Sequence, residues 1–247
     1  MFPVICYIGP FAIYSYGLML ALAVIVSSYL AAEQAGKQGL SRDAFYDLAF
    51  WVVLWGILGA RFFYILLNAD YFIGNPLEMV MLQKGGLAWQ GSLVAGVISG
   101  IIFMRRRKLP LLMVLDTVAP FIALGHAIGR IGCFLNGCCY GKPWAHGVYF
   151  PVWHERLHPT QIYMVFGELA AFFILRAFQT SPRWTQQPAG RLFVFYLVLS
   201  SLERFGVEFF RADHDVLWGG LSIFQYVCLG IIALALVVDI NLKRKAL

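Results

Sequence analysis

Seven apolar stretches, each near the ~20 residues that cross a bilayer as a helix, constrain this chain more than any other feature. They run over residues 11–32, 44–67, 87–104, 112–131, 160–178, 191–210 and 220–239. Hydrocarbon offers no water to backbone N–H and C=O groups, so each stretch must satisfy them internally, as a helix does. Only 13% of the 247 residues are charged, against about 25% in a soluble domain. The expected fold class is therefore all-α: a polytopic membrane protein of about seven transmembrane helices. No connection between stretches exceeds about thirty residues, short of the ~50 a separate domain needs. Residues 1–247 thus read as a single integral membrane domain, with the loop at about 132–159 as a small cap. The N-terminus lacks the basic region and small-residue cleavage site of a signal peptide, so its first apolar segment is expected to be retained.

Charge sets the orientation. Twelve of the nineteen Lys and Arg residues fall on one set of loops and tails, including Lys37, Arg42, the run Arg105–Lys108 and Lys243–Lys245. Four fall on the other (Lys84, Lys142, Arg156, Arg211), and Arg61, Arg130 and Arg204 lie within spans. Basic loops stay cytoplasmic, which puts the N-terminus outside and the C-terminus in the cytoplasm. The net charge of +6 then reflects topology, and no nucleic-acid partner is expected. Tyr16, Arg61, Gln90, Arg130, Arg204, Glu208 and Arg211 all fall in the outer half of the membrane. An ion pathway would need polar stations through the full depth, and a transporter a midplane site on broken helices. A site in one leaflet suits a lipid headgroup.

Two runs carry the chemistry. Gly129-Arg130-Ile131-Gly132-Cys133-Phe134-Leu135-Asn136-Gly137-Cys138-Cys139-Tyr140-Gly141 puts an arginine and four glycines where a membrane helix should stop. An arginine there faces a partner, a cavity or an anion, or snorkels to the surface. Glu203-Arg204-Phe205-Gly206-Val207-Glu208-Phe209-Phe210-Arg211 spaces Arg204, Glu208 and Arg211 at i, i+4, i+7, one helix face. Glu208 can neutralise one arginine, which leaves the outer half rich in guanidinium. The planar guanidinium fork suits phosphate.

Cys133, Cys138 and Cys139, with His146 and His154 in the same loop, raise the question of zinc. The spacing Cys-x4-Cys-Cys lacks a matching second pair, so no metal and no cofactor is expected. A disulfide from Cys133 to one of the later pair, and plain burial as small apolar residues, both remain open. Pro159-Thr160 suits a helix start, leaving His158 as cap, headgroup donor or base. Glu168 is expected to pair with an interior arginine. Gly56 and Gly59 read as a small-residue packing face.

Five segments in order resemble the prolipoprotein diacylglyceryl transferase family. They are Tyr16-Gly17-Leu18-Met19, Gly86-Leu87-Ala88-Trp89-Gln90-Gly91, the run from Gly129 to Gly141, His158-Pro159-Thr160-Gln161-Ile162-Tyr163, and Arg204 through Arg211. The resemblance implies an enzyme of the bacterial cytoplasmic (inner) membrane with its site toward the outer leaflet. It implies transfer of the diacylglyceryl group from phosphatidylglycerol to the lipobox cysteine of prolipoproteins, forming a thioether and releasing glycerol phosphate. Its partners would be phosphatidylglycerol, lipobox segments and membrane lipids.

By the same resemblance Arg130 and Arg204 hold the phosphate, Glu208 orients Arg204, and Tyr16 donates to the headgroup. Asn136 and Gly141 shape the loop over it, and the charge pattern itself adds Arg61 and Arg211 as binding charge. His158 and Gln90 complete the catalytic set. Some members carry a histidine at the position of Gln90, and an amide cannot abstract a proton. The base is then His126 or His158, or none is needed where the arginine field lowers the thiol pKa. Cys133 also stands where many members carry asparagine, and Cys138 where a carboxylate can occur. The alternative reading is a diverged, non-catalytic paralogue that binds phospholipid or lipoprotein.

Overall fold

The structure, a computed structural model, describes residues 1–9, 11–81, 85–212 and 217–246. Lys84, one of the four basic residues assigned to the outer side, lies outside the described residues. The chain opens with β1 (Val4–Ile8) and β2 (Phe11–Tyr14), followed by α1 (Ser15–Lys37), α2 (Arg42–Leu67) and α3 (Ala69–Gly74). After a 3-10 turn at Pro76–Val80 come α4 (Trp89–Arg106) and α5 (Leu111–Asn136). Then follow β3 (Pro143–Phe150), β4 (Glu155–Leu157), α6 (Thr160–Thr180), α7 (Pro182–Thr185), α8 (Arg191–Glu208), a 3-10 turn at Trp218–Gly220 and α9 (Ile223–Ala246).

Each expected apolar stretch overlaps one of the long helices. Among the described residues five of these, α1, α2, α5, α6 and the part of α9 up to Arg244, are long and apolar enough to cross a membrane. The 18-residue helices α4 and α8 are shorter, and α8 carries Ser200, Ser201, Glu203, Arg204 and Glu208 along its length. Large apolar side chains such as Ile25, Phe62, Phe166, Phe173 and Leu234 are 61–68% exposed. That is the surface of helices solvated by lipid rather than water.

The all-α expectation needs correcting. Two antiparallel hairpins, β1–β2 and β3–β4, accompany the helices. The first takes Phe11–Tyr14, which the hydropathy pattern assigns to the first span. Val4 to Tyr14 is as apolar as a helix, but it is rich in β-branched and aromatic residues around a turn at Gly9, whose φ is +59°. Apolarity alone does not separate strand from helix in so short a run.

The chain forms two compact units, Met1–Ala31 with Leu115–Leu247, and Ala32–Val114. In the first, α5, α6 and α8 share a core of Ala119, Ala123, Ala171, Leu175, Leu192 and Tyr196. The first N–H groups of a helix find no acceptor within it and need one from outside. The Asp116 carboxylate supplies it for α8, accepting from the backbone N–H groups of Gly190 (2.6 Å) and Phe193 (2.8 Å). Helix α1 lies close on α5, where a Cβ on Gly132 would stand 2.9 Å from the Met19 Cβ and 3.4 Å from the Tyr16 Cα.

In the second unit, α2 and α4 meet through glycine. A Cβ on Gly59 would strike the Gly91 carbonyl at 2.6 Å, which makes this the expected small-residue face. The same unit holds Arg61, which is 7% exposed. Its Nε donates to the Met79 carbonyl (2.9 Å) and its Nη1 to those of Gly85 (2.6 Å) and Gly86 (3.0 Å). Its Nη2 reaches the Glu78 and Met81 carbonyls. Arg61, for which the sequence suggests a lipid ligand, thus binds the carbonyls of residues 78, 79, 81, 85 and 86.

Candidate active site

The site residues of the first unit gather at the end of α5. Arg130 and Cys133 sit in its last two turns, and Asn136 ends it. Gly137, with φ +76°, then turns the chain back so that the Cys138 N–H donates to the Cys133 carbonyl at 3.2 Å. A φ of this sign costs glycine almost nothing. Cys139 also takes a left-handed conformation, φ +62°, which is uncommon for a residue with a Cβ. Two residues at the start of α6 hold the turn. Thr160 Oγ1 donates to the Cys139 carbonyl (2.7 Å) and Gln161 Nε2 to the Cys138 carbonyl (2.6 Å). This is what the Thr160-Gln161 pair does in the fold.

Gly141 ties three segments together. Its N–H donates to the His158 carbonyl (2.9 Å), it bridges to Arg211, and the Lys142 N–H donates to the Phe210 carbonyl (2.8 Å). A Cβ on Gly141 would overlap the Phe210 carbonyl and lie 2.6 Å from the His158 Cβ. Only glycine fits there.

Helix α8 ends at Glu208, so Arg211 lies beyond it, not on its i+7 face. Its N–H still donates to the Glu208 carbonyl (3.2 Å), and its Nε stands 4.0 Å from Glu208 Oε2. The Glu208 carboxylate, 1% exposed, pairs with Arg204 Nη2 at 2.8 Å and accepts from Ser222 Oγ at 2.7 Å. The Arg204 guanidinium also lies 5.2 Å from the Phe224 ring centroid, a cation–π contact. Glu208 therefore anchors both arginines of this motif.

Arg130 belongs to the same cluster. It lies within electrostatic reach of Arg204, of Glu203, and, together with Arg211, of Cys139. Tyr16 is within reach of Arg130 and of all three cysteines. Among the described residues, Arg130 Nε and Arg204 Nη1 are buried without a hydrogen-bond partner. Such donors are costly to leave unmatched, and in a native site they point to a ligand.

The sulfurs of Cys133, Cys138 and Cys139 lie within 4.8 Å of one another, and all three are free thiols. The neighbouring Cys133 and Cys138 thiols lower the pKa of Cys139 below the ordinary thiol value, with Arg211 and Arg130 adding to the effect. Cys138, Cys139, Asn136, Gly137, Tyr140, Val152 and Trp153 line a cavity of about 400 Å³.

The side chains of His158 and His126 have partners of their own. His158 stacks on Trp144 (centroids 4.5 Å apart, planes 2° apart), and its Nδ1 lies 3.1 Å from the Tyr163 hydroxyl. Burial, and then the Lys142 charge, push its pKa below the usual histidine value. His126 Nδ1 lies 2.6 Å from Glu168 Oε1, which also accepts from Ser200 at 3.1 Å. Glu168 was expected to meet an arginine and meets a histidine instead. Sequence reasoning passed over Glu203, whose two carboxylate oxygens are buried beside the Glu168 carboxyl. Gly167 leaves room for it, since a Cβ there would lie 2.6 Å from the Glu203 Cδ. An acidic residue directly before Arg204, in membrane sequence, was the available signal. Gln90 is exposed in the first turn of α4, in the second unit.

Known proteins resemble this chain over nearly its whole length. The family model for prolipoprotein diacylglyceryl transferase matches residues 3–240. A phosphatidylglycerol–prolipoprotein diacylglyceryl transferase of Clostridium tetani (strain Massachusetts / E88) is 33% identical over 256 residues, covering 99% of this chain and 98% of that protein. Its counterpart in Bacillus cereus (strain 03BB102) is 32% identical over 250 residues, covering 96% and 90%. With a match of this length, and the motif arginines gathered around one buried carboxylate, the chain belongs to the prolipoprotein diacylglyceryl transferase family.

Proposed function

We propose that Arg130, Arg204 and Arg211 form the phosphate clamp with which this chain, a phosphatidylglycerol–prolipoprotein diacylglyceryl transferase, holds its lipid donor. The observation that carries the reading is the pair of buried guanidinium nitrogens, Arg130 Nε and Arg204 Nη1, that have no hydrogen-bond partner among the described residues. They match an anion that supplies several acceptor oxygens.

In the reaction the lipobox thiolate attacks the glycerol carbon that bears the phosphate ester. The C–S bond forms, the C–O bond breaks, and charge accumulates on the departing glycerol phosphate. Donors fixed in advance at that oxygen stabilise the transition state more than the ground state. Glu208 positions Arg204 and Arg211, Tyr16 donates to the headgroup, and Gly141 with Asn136 shapes the loop. His158 holds this loop to α6, and its lowered pKa keeps it neutral near pH 7. Gln90, an amide, cannot take a proton and is not the base.

The chain crosses the membrane seven times, with α4 and α8 as the two shorter spans, the N-terminus outside and the C-terminus in the cytoplasm. The clamp then faces the outer leaflet of the bacterial cytoplasmic membrane, where lipobox segments arrive. The basic-residue asymmetry supports this orientation.

The test is transfer itself. Purified protein is mixed with phosphatidylglycerol and a lipobox peptide, and the peptide is read by mass spectrometry. A diacylglyceryl adduct on the peptide cysteine, lost with Arg130→Ala in folded protein, is the expected result. Full activity of Arg130→Ala would sink the clamp.

A further inference from the structure

We propose that Cys133, Cys138 and Cys139 bind one thiophilic divalent cation of the zinc class, whose fourth coordination position takes the thiol of the protein substrate. The second half rests on the transferase reading above; the first does not.

The three sulfurs are close enough to reach one ion together. The three sulfurs fall within 4.8 Å of one another, with Cys138 Sγ and Cys139 Sγ 3.8 Å apart. Zinc–sulfur bonds of ~2.3 Å at tetrahedral angles set sulfurs about 3.8 Å apart. The cluster is also held in place. Gly137 turns the chain back on α5, and the α6 side chains Thr160 and Gln161 fix the carbonyls of Cys139 and Cys138. Such outer contacts orient metal ligands.

Three protein ligands with a fourth position left over is the count of a catalytic zinc site, not a structural one. Two of the three, Cys138 and Cys139, line a cavity together with Asn136, Tyr140 and Trp153. A divalent ion with three thiolates carries net charge −1, and −2 once a fourth thiolate binds. Arg130 and Arg211, within electrostatic reach of Cys139, offset that charge. The linear pattern Cys-x4-Cys-Cys looks unlike a zinc motif because the fourth ligand comes from outside the chain.

The chemistry answers a need of the proposed reaction. A metal-bound thiol is deprotonated outright, and its proton leaves to water. The bound thiolate then displaces the phosphate oxygen, forming C–S and breaking C–O. Glycerol phosphate departs with the bonding electron pair, and the thioether, a weaker ligand, is released. No side-chain base is required at the position of Gln90.

The test uses the full-length protein, reduced, stripped with chelator and titrated with cobalt(II) alone. A thiolate-to-cobalt charge-transfer band saturating at about one ion per chain is expected. Cys133→Ser, Cys138→Ser and Cys139→Ser should each weaken binding by more than the roughly 10–100-fold that an outer-shell loss costs. Cys6→Ser should leave it unchanged. A lipobox peptide should shift the cobalt ligand-field bands, and the same peptide with serine for cysteine should not. Absence of the band, or a band indifferent to the three variants, overturns the metal site. Absence of the band is read on wild-type protein, so that outcome does not depend on the variants folding. Bands blind to the peptide thiol overturn the open position. Metal-free protein that transfers at the full rate overturns the second half of the inference and leaves the transferase standing. Cobalt binding by a protein that transfers nothing overturns the transferase reading and supports the metal site.

Discussion

Replacing Glu208 with glutamine tests whether one buried carboxylate holds the clamp together. The carboxylate is 1% exposed and engages Arg204 at 2.8 Å, Ser222 at 2.7 Å and Arg211 at 4.0 Å. Glutamine keeps the shape and one acceptor oxygen. It sets an NH2 group against one of these donors and removes the charge. Breaking a buried ion pair from one side costs about 3–5 kcal/mol. Arg204 is 18% exposed and keeps its contact with Phe224, so the loss should sit near the lower end, about 3 kcal/mol. A guanidinium that drifts by ~1 Å costs about 10²-fold in rate, or about 2.7 kcal/mol of barrier. The assays are thermal unfolding in detergent and peptide transfer across a phosphatidylglycerol series. Glu208→Gln should unfold earlier and lose about 10²-fold in kcat/KM, and Glu208→Asp should recover part of both. Unchanged unfolding and an unchanged lipid dependence in Glu208→Gln would refute the anchoring role.

Arg130→Ala should cost about 10²–10³-fold in transfer, as loss of one transition-state donor does, while Gln90→Ala should stay within about 10-fold of wild type. A Gln90 variant as inactive as Arg130→Ala would make that amide part of the reacting geometry. Gly167→Ala should push Glu203 aside and destabilise by about 1–3 kcal/mol, read as a lower unfolding temperature. An unshifted midpoint would mean the carboxylate has room to move. The depressed pKa of His158 means the unfolded chain binds more protons over the window between the folded value and ~6.5. Its stabilising contribution is complete above that window and is lost as pH falls through the folded value. Wild type should therefore lose stability on acidification between about pH 7 and 5 more steeply than His158→Gln, and parallel unfolding curves would remove His158 as the cause.

The long helices follow from the linear pattern because hydrocarbon imposes a local rule: a run of about twenty apolar residues must close its own backbone hydrogen bonds. The arginines, Glu208 and Gly141 were legible for a similar reason, since charge and conformational freedom are expensive in membrane sequence and stand out one residue at a time. What depends on distant segments meeting was not legible. Hydropathy could not tell the β1–β2 hairpin from the first turn of a helix, because both are apolar and pairing is settled by the partner strand. Glu168 found His126 and not an arginine, and Arg61 turned to backbone carbonyls, because the choice among partners for a buried charge is made by packing. The three thiols lie five residues and one residue apart in the chain, and only the turn at Gly137, held by Thr160 and Gln161 from α6, brings their sulfurs together.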